Sequence, residues 1–156
     1  MKTSRILVKT NNQKYPIIIG ENIIGNLLKF AKKNSINFKK CLIIFDRKVP
    51  KKFLRKIKKD FINKKIITHI CLFNSIESNK NQKNVDKILN ILLKYNFHRN
   101  DCLISVGGGI TGDVSGYASS IYKRGINFIN IPTTLLWQVD SSIGGKTGIN
   151  SKFGKN

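Results

Sequence analysis

Acidic residues are scarce in this 156-residue chain, where eight Asp and Glu stand against 29 Lys and Arg and give a formal net charge of +21. Such a charge often indicates nucleic acid or an anionic membrane as a partner. The excess, however, lies in residues 1–100, which hold 24 basic and 5 acidic residues, whereas residues 101–156 hold 5 and 3. The basic residues are mostly lysines, and the chain is also rich in Asn and Ile and has only two alanines. This composition is typical of an AT-rich coding sequence. Since neither a basic groove with interleaved aromatics nor zinc-finger spacing occurs, we expect no nucleic-acid role.

Cysteine and long apolar runs are equally sparse. Cys41, Cys71 and Cys102 each lie in an apolar run without a C-x-x-C pattern, which favours buried reduced thiols over a metal site or disulfides. No stretch approaches the 18 or so apolar residues of a membrane span, and the first residues do not form a signal peptide. We therefore expect a cytosolic protein, with no membrane association, whose length suits one domain.

Hydrophobic patterns predict alternating strands and helices after an N-terminal hairpin. The hairpin strands are Arg5–Lys9 and Lys14–Ile19 around Asn11-Asn12. Later strands are predicted near 41–45, 66–72, 102–106 and 126–131, and helices near 22–33, 50–59, 85–95 and 112–122. This order predicts an α/β fold with a Rossmann-like, mostly parallel sheet covered by helices on both faces.

A glycine-rich turn follows the predicted strand 102–106. Residues 107–112 read GGGITG and satisfy the G-x-G-x-x-G pattern, in which glycines let a pyrophosphate approach the backbone at a helix N-terminus. The usual acidic partner about twenty residues further on is absent. Asp46, at the end of the strand 41–45, is the nearest substitute, which would make the arrangement for a dinucleotide non-standard.

Other polar residues also follow strand ends. Besides Asp46 and Gly107, both Glu77 and Thr133 lie just past a predicted strand. Ligands of parallel sheets bind at the carboxyl ends of the strands, so these residues are expected at one edge. Asp46, Glu77, Asp113 and Asp140 make up half of the acidic residues, which is informative in so basic a chain.

The sequence resembles the 3-dehydroquinate synthase family, within the sugar-phosphate cyclases. The resemblance is dense over residues 101–156, which contain GGGITGD, RGINFINIPTTLL, QVDSSIGGKTGIN and the closing GKN. Upstream it is looser: SIESNK at residues 75–80 keeps only Glu77 and Lys80 of a D-G-E-x-x-K nucleotide loop. The resemblance implies conversion of 3-deoxy-D-arabino-heptulosonate 7-phosphate to 3-dehydroquinate and phosphate, a step of the shikimate pathway toward chorismate and aromatic amino acids. NAD acts catalytically in this lyase reaction, which oxidises a ring hydroxyl and later reduces the ketone again.

The same resemblance implies a role for individual residues. Substrate contacts fall on Lys146, Asp140, Arg124, Lys155 and Asn156. The Arg124 position reaches the site of a neighbouring subunit in the family, which implies a homodimer. NAD contacts fall on Asp46, Glu77, Lys80, Gly108, Gly109, Gly112, Asp113, Thr133, Thr134, Lys146 and Lys155.

The family also uses a divalent metal, zinc or cobalt, held by one Glu and two His in a second, helical domain. That domain is missing here, so no metal ligand is predicted in this chain. Residues 1–156 are interpreted as an N-terminal dinucleotide-binding domain, incomplete at its C-terminal end and inactive alone.

Several motif residues have simpler structural interpretations. Gly144-Gly145 could form only a turn, Thr133-Thr134 a helix cap, and Asp113 an acid in a helix's first turn. Trp137 replaces a small residue of the family and could serve in packing, while Lys152 reads as a solvated loop lysine. Three functions stay open: this synthase, another sugar-phosphate cyclase or a related metal-dependent polyol dehydrogenase, and a non-catalytic NAD- or anion-binding module.

Overall fold

The computed structural model describes residues 3–9 and 14–155. Its centre is a four-stranded sheet of order β4-β3-β5-β6, in which every neighbouring pair is parallel. The strands are β3 (Lys40–Asp46), β4 (Ile67–Phe73), β5 (Cys102–Gly107) and β6 (Asn127–Pro132). The predicted α/β class and parallel sheet are confirmed.

The helices are α1 (Leu27–Lys33), α2 (Lys51–Asn63), α3 (Gln82–Lys94) and α4 (Gly109–Ile121). One core packs α3 and α4 on the sheet through buried residues that include Leu42, Val85 and Leu103. The other packs α1 and α2 on the opposite face through residues that include Ile43, Ile57 and Ile104. Successive side chains of β3 point to opposite faces, so both faces of the strand are apolar. Each fully buried aliphatic side chain contributes about 1.5–3 kcal/mol.

The N-terminal hairpin forms a sheet of its own. Strands β1 (Thr3–Lys9) and β2 (Lys14–Gly20) pair antiparallel, and Ile6 lies opposite Ile17. The hairpin is confirmed, while the turn at Asn11-Asn12 lies outside the described residues. Because a two-stranded hairpin alone is marginally stable, its contacts with the body matter: the Arg5 guanidinium donates to Asn34 Oδ1 at 3.0 Å.

Helix boundaries differ from the predictions where local capping or tertiary packing decides them. Helix α3 begins at Gln82 rather than 85 because the Asn81 side chain accepts a hydrogen bond from Asn84 N at 3.0 Å. Helix α2 runs to Asn63, which places Phe61 fully inside the core. The predicted helix 22–33 opens as a 3-10 turn, Ile23–Asn26.

Helix α4 begins at Gly109, three residues before the predicted start. Glycine is a poor helix former, so local propensity offers no reason to extend the helix into the glycine run. Its buried face, which includes Val114 and Ala118, packs on the sheet and fixes this start. The N-terminus of α4 thereby comes directly to the end of β5.

The cysteines are buried and reduced, as predicted. Burial raises the pKa of the Cys41 thiol to about 12 and raises the pKa of Cys102 well above its ordinary value. Both thiols therefore stay protonated at neutral pH, and neither is a nucleophile. Within the described residues, no helix is both long and apolar enough to cross a bilayer.

Thiol labelling tests this burial. At about pH 8 we expect a disulfide reagent to leave Cys41 and Cys102 unmodified in the folded chain and to label all three cysteines in urea. A thiol whose pKa is raised by folding stabilises the fold below its unfolded pKa, and this contribution is lost as pH rises toward the folded value. Unfolding midpoints should consequently fall above about pH 9. Fast labelling of Cys41 or Cys102 without denaturant would contradict the buried arrangement.

Candidate functional site

The glycine-rich turn lies at the carboxyl edge of the sheet. Strand β5 ends at Gly107, and Gly108 leads into α4. A cavity of about 370 Å³ opens beside it. The lining includes five predicted cofactor residues, namely Asp46, Gly108, Gly109, Thr133 and Thr134. The backbone N–H groups that open a 13-residue helix thus face a space suited to an anion.

Close approach explains two glycines of the turn. A Cβ on Gly107 would come within 2.9 Å of the Asp46 Cβ and within 2.7 Å of the Thr111 hydroxyl. A Cβ on Gly108 would come within 3.1 Å of Thr134 Cγ2. A side chain at Gly107 would therefore displace Asp46 or Thr111, and one at Gly108 would press on Thr134, which lines the cavity.

Asp46 is held in place at the end of β3. Its carboxylate accepts a hydrogen bond from Lys48 N at 3.0 Å and one from the Thr111 hydroxyl at 3.4 Å. The residue is only 3% exposed, so the carboxylate has a fixed orientation beside the cavity. Lys48 also lines the cavity and donates from Nζ to Ser75 O at 3.1 Å. Sequence reasoning missed Lys48, although its position two residues after Asp46 is a usable signal.

A second cluster joins three more predicted cofactor residues. Lys80 forms an ion pair with Asp113 of α4 at 2.6 Å, and both side chains are largely buried. Asn150 donates from its side chain to Glu77 Oε1 at 2.7 Å. Asn150 was not predicted as a site residue, because no local pattern in the sequence distinguishes it from the other asparagines.

The segment after β6 returns across the glycine turn. Thr133 N donates to Gly107 O at 3.0 Å, which fixes Thr133 next to the turn. Trp137, at 4% exposure, lies against Gly109 and Gly112. The packing interpretation of Trp137 therefore holds, and Gly112 contacts the indole without being part of the cavity lining. Asp140 follows in a short π-helical turn, Trp137–Ser141, and is exposed.

The two predicted substrate lysines belong to an irregular loop. Lys146 and Lys155 are exposed, and Lys146 follows Gly144 and Gly145 with φ of 101° and 71°. Only glycine adopts such values readily, so the loop path depends on this pair. Gly144 N donates to the Tyr15 hydroxyl at 2.8 Å, which ties the loop to the hairpin. Asn156, also predicted, lies outside the described residues.

Among the predicted site residues that the structure describes, Arg124 alone lies at the opposite end of the sheet. It lies before β6, where it lines a separate cavity of about 430 Å³ with Arg99, Asn100 and Asn127. The structure does not bring it to the glycine turn. Its action at a neighbouring subunit's site stays a prediction.

Among the described residues, no group of three His, Cys, Asp or Glu side chains could hold a metal ion. The carboxylates at the site are already engaged by Lys48 N, Thr111, Asn150 and Lys80.

Comparison with known proteins identifies the family of the chain. Residues 70–156 match the family model described as 3-dehydroquinate synthase N-terminal. The chain is 56% identical over 152 residues to the 3-dehydroquinate synthase of Pelagibacter ubique, covering 97% of this chain and 41% of that protein. The chain thus spans about two fifths of the length of the curated relatives it matches.

Two solved structures have closely similar folds, each at 25% identity. 2-deoxy-scyllo-inosose synthase, complexed with carbaglucose-6-phosphate, NAD+ and Co2+, superposes with a TM-score of 0.87 over 98% of this chain and 41% of that one. The 2-epi-5-epi-valiolone synthase of Streptomyces hygroscopicus, with NAD+ and Zn2+ bound, superposes with a TM-score of 0.80 over 96% and 41%.

The fold and the glycine turn define the N-terminal α/β unit of the sugar-phosphate cyclases. Within that class, the chain belongs to the 3-dehydroquinate synthase family.

Proposed function

We propose that this chain provides the NAD-binding domain and part of the substrate site of a 3-dehydroquinate synthase. This lyase converts 3-deoxy-D-arabino-heptulosonate 7-phosphate to 3-dehydroquinate and phosphate. The observation that carries the proposal is the gathering of Asp46, the glycine turn and Thr133-Thr134 around one cavity. The identity of 56% to a named synthase supports the choice of this reaction.

The residues of the cavity fit NAD. Gly108 and Gly109 let a ligand approach the backbone in the cavity, and the N-terminus of α4 favours the negative charge of a pyrophosphate. The Asp46 and Glu77 carboxylates would accept hydrogen bonds from ribose hydroxyls, while Asp113, Thr133 and Thr134 would face the nicotinamide half. When bound, NAD would supply reversible hydride transfer at a substrate hydroxyl.

The loop of residues 144–155, called the lysine-bearing loop below, carries Lys146 and Lys155 and would provide the charge that the substrate requires. The heptulosonate phosphate carries a carboxylate and a phosphate, so Lys146 and Lys155 would bind its anionic groups. Asp140 would accept hydrogen bonds from substrate hydroxyls, with Asn156 as a polar neighbour. Arg124 would contribute from a partner copy in a homodimer, because a guanidinium can bind a phosphate through two parallel hydrogen bonds.

A divalent metal, zinc or cobalt, is proposed for the whole enzyme but not for these residues. Both solved relatives hold such an ion. The described part of this chain has no suitable ligand group, so its own residues contribute binding and orientation only. The ligands of the metal would be the one Glu and two His of a second, helical domain. We further propose a cytosolic location and no nucleic-acid partner.

The alternatives differ in the chemistry that comes after ligand binding. Another sugar-phosphate cyclase would use the same NAD site with a different sugar phosphate, and a polyol dehydrogenase would lack the PTTLL and QVDSS blocks present here. A non-catalytic module would bind NAD without turnover. An NAD titration alone cannot separate that module from the synthase, whereas turnover can.

Reading the gene beyond the codon for Asn156 is the first test. A frame that continues into a helical domain with one Glu and two His at ligand positions would support the synthase. An immediate stop would favour the binding module.

Turnover of a completed enzyme is the decisive test. Joining this chain to the remaining part of the Pelagibacter ubique relative should give release of phosphate from the heptulosonate phosphate, dependent on NAD and on added Zn2+ or Co2+. The reason is that the chain would supply the NAD and substrate residues and the relative the metal ligands. A folded chimera that binds NAD yet releases no phosphate would contradict the synthase assignment. Activity only with another sugar phosphate would indicate a different cyclase.

A further inference from the structure

Asn150 joins two loops that carry different parts of the proposed site. Its side-chain amide donates to Glu77 Oε1 at 2.7 Å. Its backbone N–H donates to Lys80 O at 2.8 Å, within an isolated parallel bridge between Asn150 and Asn81. One residue of the lysine-bearing loop is therefore bonded to the nucleotide loop through both side chain and main chain.

The nucleotide loop is in turn fixed to the helix that begins at the glycine turn. Lys80 Nζ pairs with Asp113 Oδ2 at 2.6 Å, one turn into α4. A continuous series of contacts thus runs from Asn150 through residues 77–80 to the N-terminal end of α4.

The neighbours of Asn150 anchor the loop backbone without reaching the cofactor residues. Ile149 packs on the apolar core formed by α3 and α4. Thr147 contacts Gly116 in the middle of α4, where a Cβ would overlap its methyl group. Asn150 differs because its side chain ends on a carboxylate that the proposed function assigns to the NAD ribose. An amide N–H donated to one carboxylate oxygen restrains the orientation of the group, while a carboxylate has further acceptor capacity on its second oxygen.

We propose that Asn150 is a positioning residue that couples the nucleotide loop to the lysine-bearing loop. It orients the Glu77 carboxylate for the ribose and holds the segment between Lys146 and Lys155 at a fixed distance from the cofactor. Asn150 itself need not touch either ligand. This inference rests on the proposed function, because the roles of Glu77 and the lysines come from it.

The first test replaces Asn150 with alanine in the full chain and measures NADH affinity and backbone hydrogen exchange. Trp137 is the single tryptophan and lies against Gly109, so energy transfer from its indole to bound NADH reports binding. Asn150→Ala should weaken NADH binding about tenfold, because the Glu77 carboxylate loses the donor that orients it. Amides of residues 144–155 should exchange faster than in the unmodified chain.

Asn34→Ala is the matched control. Asn34 donates to Phe30 O at 2.8 Å and accepts from Arg5, on the hairpin side of the fold. Its loss removes comparable hydrogen bonds, yet NADH affinity and exchange in residues 144–155 should not change. Equal NADH affinity and equal exchange in Asn150→Ala and the unmodified chain would overturn the proposal.

A paired substitution distinguishes positioning from a general loss of stability. Asn150→Asp alone sets two carboxylates against each other, so the loop should exchange still faster. Adding Glu77→Gln restores a donor and an acceptor in reversed order, and loop protection should return while NADH affinity stays low without the Glu77 charge. Failure of this pair to restore protection would overturn the coupling. Failure of the chimera described above to bind NADH would contradict the proposed function, and the exchange experiment on the unmodified chain would still decide whether Asn150 orders the loop.

Discussion

Replacing Lys146 with alanine in the completed enzyme is expected to lower kcat/KM by about a thousandfold while leaving the melting temperature unchanged. The side chain is exposed in the loop after Gly144 and Gly145, so its removal takes no packing from either core. Its proposed role is to bind an anionic group of the substrate as charge develops, and losing one such group costs about a hundredfold to a thousandfold. Steady-state phosphate release, with thermal unfolding of the same samples, measures both parts.

Lys152→Ala provides the matched control for this prediction. Lys152 is an exposed lysine in the same irregular loop, six positions further on, and no ligand contact is proposed for it. Its loss should change kcat/KM by less than about twofold, as expected for a solvated surface charge. Retained turnover in Lys146→Ala would remove its substrate role, and equal losses in both variants would point to the general charge of the loop instead.

The architecture could be predicted because its determinants are local in the sequence. Strand β3 is a run of apolar residues whose side chains enter the cores on both faces of the sheet. When such runs alternate with amphipathic helices, a parallel sheet covered by helices on both faces is one of few possible arrangements. The glycine turn could be predicted in the same way, because GGG after a buried strand has few uses that do not involve close approach. Helix boundaries were less predictable, since Asn81 caps α3 and core packing extends α2 and α4.

The site was only partly accessible from the sequence because its contacts join distant segments. Asp46 and Thr111 are 65 residues apart, and Glu77 and Asn150 are 73 apart. A linear pattern identifies each residue type but not the partner that orients it. Asn150 was missed for this reason, whereas Lys48 was missed although it follows Asp46 by only two residues. The NAD contact of Gly112 stays a prediction, and the structure adds a contact between Gly112 and the Trp137 indole.

Gly112→Ala is expected to destabilise the fold by about 3 kcal/mol and to lower the melting temperature by about 10 °C. A Cβ at this position would lie within 2.7 Å of Trp137 Cε2 and within 2.9 Å of its Nε1. Trp137 is only 4% exposed, so the ring cannot move aside without losing most of its buried apolar surface. Thermal unfolding followed by far-UV circular dichroism measures the loss.

The same clash should weaken NADH binding, because the buried Trp137 side chain fixes the position of the segment that begins at Thr133 and Thr134.

Gly25→Ala is the control. A Cβ at Gly25 has no atom within 4 Å and the residue has no positive φ, so alanine should be neutral or slightly stabilising. Adding Trp137→Ala to Gly112→Ala removes the overlapping ring, and the double variant should be no less stable than Trp137→Ala alone. A Gly112→Ala variant that unfolds at the same temperature as the unmodified chain would contradict this position of the indole.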